Sequence, residues 1–317
     1  METIRNLIKK ILREVHGKQL SVDNFSEIVT KDILEKLKRD FDKINDGHVW
    51  EVISQTYTME EIKEDTKLTL VKIKIDFKFS DQFNLSGNFL QNNTVLLDDD
   101  GYEVVIKLNL STNNLENLFP SIYAFMSHEL NHAFVHIKQI KGKSKAGTLN
   151  SANKLTKGEL GVLFSKNPSL KEFSNMVYLS NPFEVQARVQ QAAAELKHIA
   201  GVNANETINA LLGYNPLRDA KLMIAYNLDN INKTDKETLD IFVKKFNDNI
   251  KLFSKEENPK IISETDKFFE YWLEVINLSG DKLAKKIFKL VADKHSIHEG
   301  FVYQQADAYY KIFGEYF

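Results

Sequence analysis

At 317 residues, 43% hydrophobic, 11% aromatic and 27% charged, the chain is long enough for one large or two ordinary domains and too apolar for a disordered tail. Forty-two Lys and Arg against 44 Asp and Glu leave a net charge of -2, which offers no global field for gathering nucleic acid or anionic lipid. With no cysteine, disulfides, thiolate zinc sites, iron–sulfur clusters and cysteine nucleophiles are excluded, so any metal falls to Asp, Glu and eight histidines.

The opening METIRNLIKKILREV spaces Ile4, Leu7, Ile8, Ile11, Leu12 and Val15 as one helical stripe, broken by charges where a secretory signal needs an apolar run. No window approaches the roughly 18 apolar residues of a membrane span, so a cytoplasmic protein without membrane partners is expected. A second helix should carry Ile28, Ile33, Leu34 and Leu37, with Asp23 or Asn24 as cap.

From Trp50 to Leu110 the period shortens to two. Leu70, Ile73, Ile75, Phe77 and Phe79 alternate with charges, Ser86-Gly87-Asn88 and Asp98–Gly101 read as turns, and Thr94–Leu97 and Tyr102–Leu110 as further strands. A small, mostly antiparallel sheet is expected. After Asn114 the text is helical almost to Phe317, broken near Lys141–Thr148, which reads as a surface loop, and at Pro168, Pro182, Pro216 and Pro259. Phe242, Phe246, Phe253, Phe268, Phe269, Tyr271 and Trp272 fall at helical spacings and read as packing core. Aromatics also gather at the end, at Tyr309, Tyr310, Phe313, Tyr316 and Phe317. There is no internal repeat. The expected class is α+β, with an N-terminal helical segment (1–48), a core (49–215) and a helical C-terminal subdomain (216–317).

One constellation carries chemistry. In FPSIYAFMSHELNHAFVHIKQI, His128 and His132 are four apart with Glu129 after the first. On a helix this puts both imidazoles on one face, one turn apart, where two nitrogens reach one zinc ion at about 2.0–2.1 Å. Glu129, about 100° round the helix, is placed to act as general base. The apolar residues around them mark a buried helix, in which His and Glu side chains are costly unless satisfied, and a metal satisfies them directly. The competing reading is a helical His/Glu pair in ordinary hydrogen bonds.

A third ligand is needed. His136 stands about 12 Å along the helix from His128, too far to share an ion, and reads as a supporting or core histidine. Glu184, 52 residues after His132, opens a helical segment in YLSNPFEVQARVQQAAAEL. Asn181, Pro182 and Glu184 also fit a capping box, in which the carboxylate serves only the helix end. The need for a carboxylate beside two histidines favours Glu184 as ligand, with Glu159, Glu172 and Glu195 as weaker substitutes.

At His128, Glu129, His132 and Glu184 the chain resembles the zincin metallopeptidases, in particular the gluzincins, in which two histidines of H-E-x-x-H and a glutamate from a later helix bind zinc. The resemblance spans roughly residues 65 to 200. It implies a zinc cofactor, a protein or peptide substrate, and a last strand before the helix, here Tyr102–Leu110, that pairs with extended substrate. Many gluzincins carry an acid four residues after the glutamate, whereas this chain has Arg188. The phrase S-N-P-F-E-V-Q-A-R also looks like zincin-like proteins encoded by tailed bacteriophages, which would make a virion a second location.

The expected function is therefore zinc-dependent peptide hydrolysis. Zinc would sit on His128, His132 and Glu184, Glu129 would move the proton, and Tyr178, Arg188 or His298 would steady the oxyanion, with Tyr214, His295 and Tyr303 as further candidates. The competing expectation is an inactive zincin-fold structural or interaction protein. Nucleic acid is not an expected partner, since no basic-aromatic stripe is present.

Overall fold

A computed structural model describes residues 25–41, 49–53, 67–96, 101–140, 159–201, 203–253, 261–298 and 300. The amphipathic start, the Lys141–Thr148 stretch, Pro259, Tyr303 and the C-terminal aromatics lie outside the described residues. The fold is α+β, and the chain divides into two compact units, Met1–Lys141 and Gly142–Phe317. Among the described residues no helix is long and apolar enough to cross a membrane.

The first unit contains helix α1 (25–40), strands β1 (Val49–Ile53), β2 (Lys67–Lys78), β3 (Asn84–Phe89), β4 (Val95–Leu96) and β5 (Gly101–Ser111), and helix α2 (Phe119–Ile140). The sheet order is β1-β2-β5-β3, with β4 also on β5. Period-two patterning splits it into two chemically distinct faces. Val71, Ile73, Ile75 and Phe77 lie opposite Val104, Ile106, Leu108 and Leu110, all fully buried. On the other face Lys72 pairs with Glu103 at 2.8 Å and Lys107 with Asp76 at 3.6 Å. The core is completed by Phe25, Val29, Ile33 and Leu37 of α1 and Ile122, Met126, Leu130, Ala133 and Ile137 of α2. Each of these side chains larger than alanine contributes about 1.5–3 kcal/mol on burial. Ile28 is 44% exposed, because the buried stripe of α1 runs through Phe25, Val29 and Ile33 instead.

Four features differ from the sequence reading. The register shifts between Leu68 and Leu70, so the buried phase runs through Val71 and ends at Phe77, leaving Phe79 37% exposed past the strand end. The sheet is mixed: its longest ladder, β2 with β5, is parallel, while β1–β2, β3–β5 and β4–β5 are antiparallel. Consequently Tyr102–Leu110, expected to pair with substrate, is an interior strand with both backbone edges already taken by β2 and by β3 with β4.

Ser86-Gly87-Asn88, expected as a turn, is the middle of β3. Glycine is there for close approach: a Cβ on Gly87 would sit 2.0 Å from the Lys107 carbonyl oxygen and 2.8 Å from Cζ of Phe125 on α2. That contact seats α2 against β3. Gly87→Ala is expected to lower unfolding free energy by about 3 kcal/mol, read from urea midpoints, since the obstructing atom is backbone and cannot swing aside. A parent-like midpoint would remove this account of β3.

The second unit is helical: α3 (Glu159–Lys166), α4 (Pro168–Leu179), α5 (Pro182–His198), α6 (Ala204–Leu211), α7 (Asn215–Ala225), α8 (Lys236–Phe253) and α9 (Thr265–His295). Pro168, Pro182 and Pro216 fall in first turns, where a missing N–H costs nothing. The 31-residue α9 lies against α5, α6 and α7. Gly280 lets α7 in close, since a Cβ there would meet Met223 Cβ at 2.8 Å. Phe242, Phe246, Phe268, Phe269 and Trp272 form one aromatic cluster, as their spacing predicts, and Phe173 of α4 joins it.

Candidate metal centre

Within the first unit, α2 presents the H-E-L-N-H segment. His128 and His132 are 6% and 3% exposed, and their Nε2 atoms converge to 3.0 Å with the rings nearly perpendicular, at 84°. A tetrahedral ion bonded at 2.0–2.1 Å to each would space these atoms about 3.3 Å apart, so the helix delivers the pair close to a chelating separation. Glu129 is equally buried, and its Oε2 accepts from the Phe89 backbone N–H at 2.7 Å. The next amide, Leu90 N–H, donates to Val105 O at 2.7 Å. Successive amides at the end of β3 thus alternate between the sheet and Glu129, so the edge strand fixes the carboxylate. His136 is half-buried, with Nδ1 2.7 Å from Gln91 Nε2 and its ring against Phe89, and burial lowers its pKa. It packs against the end of β3 and the residues just after it, and it is not in the candidate ligand group.

Within the second unit, the Asn181 side chain caps α5 by accepting from Phe183 N–H at 3.0 Å, with Pro182 at the first position. The Glu184 carboxylate, 1% exposed, turns to other partners. Tyr178 Oη donates to its Oε2 at 2.6 Å, and Arg188 Nε lies 3.0 Å from its Oε1. The same Nε lies 3.1 Å from Asp219 Oδ2, while Arg188 Nη1 donates to Gln191 Oε1 at 3.1 Å. Gln191 Nε2 in turn donates to Glu195 Oε1 at 2.8 Å. Two of the expected oxyanion donors, Tyr178 and Arg188, are thus engaged with the candidate ligand itself.

Burial dominates the electrostatics of this network. It pushes the Asp219 carboxyl upward, against the pull of Arg188 and Arg218. It pushes Glu195 up to about 8, only partly offset by the Gln191 hydrogen bond and Arg188. Sequence reading did not single out Asp219. Its signal was an acid between Leu217 and Ala220 on the buried face of α7.

Among the described residues, one group of side chains could hold a metal ion: His128, His132 and Glu184, all buried, each offering one ligand atom. Two imidazoles and a carboxylate suit a divalent ion such as zinc and leave a fourth position for water. Glu195 and the exposed Glu172 are not in the group, nor is His298, which is exposed and accepts from Gly300 N–H at 3.1 Å. His295 Nε2 is 2.8 Å from Thr207 Oγ1 and is likewise outside it. No family model matches the chain, and no curated protein or solved structure shows significant similarity to it.

Proposed function

We propose that the chain is a zinc-dependent metallopeptidase with a zincin-like site. The observation that carries this reading is the buried His128, His132 and Glu184 group, with Glu129 beside it in sequence and anchored by the Phe89 amide. Zinc held there would polarise a peptide carbonyl and lower the pKa of a bound water. Glu129 would receive the proton from that water and pass it to the leaving amine. The Tyr178 hydroxyl, donating to Glu184 Oε2 at 2.6 Å, holds one oxygen of the carboxylate, and Arg188 lies beside the other as an ion-pair partner at 3.0 Å.

A second reading, a structural protein stabilised by the same ion, is favoured by the engagement of Tyr178 and Arg188, two of the expected oxyanion donors, with Glu184 itself. The test is metal content by mass spectrometry of the purified chain, run beside hydrolysis of an unfolded protein. One zinc per chain is expected, lost in His132→Ala, with hydrolysis stopped by a chelator and restored by zinc. Retained zinc without hydrolysis selects the structural reading; no bound metal ends both.

A further inference from the structure

We infer that Asp219, brought in on a separate helix, is a positioning residue that acts through Arg188 to hold the Glu184 carboxylate ready for a divalent cation; the inference rests on the metal centre proposed above. One guanidinium nitrogen stands between two carboxylates, 3.0 Å from Glu184 Oε1 and 3.1 Å from Asp219 Oδ2. The Arg188 side chain is 17% exposed, so little water screens the contact. Nη1 is fixed by Gln191, which stops the guanidinium plane from turning. Tyr178 donates to the other Glu184 oxygen at 2.6 Å, so one oxygen is hydrogen-bonded and the other lies in the field of the Arg188 cation, both groups belonging to the same unit.

The charge arithmetic gives Asp219 a purpose. A lone Arg188 beside Glu184 would neutralise the carboxylate and compete with any cation for its electrons. With Asp219 on the same nitrogen, the guanidinium is shared between two carboxylates, so Arg188 sits beside Glu184 without being its counter-charge alone. This answers the departure noted at Arg188: where an acid four residues on would orient a histidine, this chain has a cation that orients the carboxylate, with a second acid from α7 as its counter-charge.

The test is metal affinity and the visible absorption of bound Co2+, measured on the full chain. Asp219→Asn, similar in size and without the charge, is expected to weaken Zn2+ binding 10- to 100-fold and to shift the Co2+ bands, with Asp219→Glu recovering most of the affinity. If Asp219→Asn fails to fold, Arg188→Lys decides, since it keeps the charge and loses the planar fork. It should show the same weakening and band shift. A parent chain that binds one ion, beside a folded variant with unchanged affinity and spectrum, overturns the positioning role and leaves the metal centre standing. A parent that binds neither ion removes both.

Discussion

Glu129→Gln is expected to reduce peptide hydrolysis by 10²- to 10⁴-fold while the chain keeps its fold and its metal. The size follows from what a positioned proton carrier contributes to such a reaction. Retention of the fold follows from the contact the residue makes: the Phe89 amide donates to Oε2 at 2.7 Å, and the carbonyl of a glutamine accepts the same bond. Retention of the metal follows from the ligand group, which comprises His128, His132 and Glu184 and not Glu129. Steady-state hydrolysis and metal content, measured on one preparation, check both halves. Parent-like hydrolysis by the variant would falsify the general-base role, while loss of metal would show Glu129 to be a ligand.

The candidate metal-binding group is legible in part because its two histidines depend on local geometry alone. Spacing of four on a helix brings the rings together whatever surrounds them, whereas Glu184 follows only from the need for a carboxylate beside two histidines, since its Asn181-Pro182 helix start reads equally as a capping box. Asp219 was not legible in the same way. Its meaning depends on α7 lying against α5, a tertiary fact that no window of sequence contains. Gly87 shows the same limit in the sheet: Ser-Gly-Asn is equally a turn or a strand with a close approach, and the Lys107 carbonyl and Phe125 ring decide it. Alternation likewise placed Val104, Ile106 and Leu108 on a strand but could not name its neighbours. The residues are right for an edge or an interior position, and β2 on one side with β3 and β4 on the other make it interior.

Glu195 gives the second large effect, and it concerns stability. The residue is 3% exposed, and burial, chiefly, pushes its pKa from an ordinary 4.5 to about 8. A raised carboxyl pKa means that the folded state holds its proton where the unfolded chain has released it. Its contribution is therefore fully present below about pH 4.5 and is lost as pH rises toward 8, where the folded state too must ionise. At about 1.36 kcal/mol per unit, the loss reaches about 5 kcal/mol at most. Glu195→Gln should abolish this slope: the amide keeps an acceptor for Gln191 Nε2 and has no charge to bury. Urea midpoints of the metal-free parent and variant, taken from pH 5 to 9, should diverge steadily toward pH 8, the variant being the more stable, and run parallel above it. Curves that stay parallel from pH 5 upward would mean that Glu195 ionises normally inside the helical unit, and that Arg188 compensates its charge together with that of Asp219.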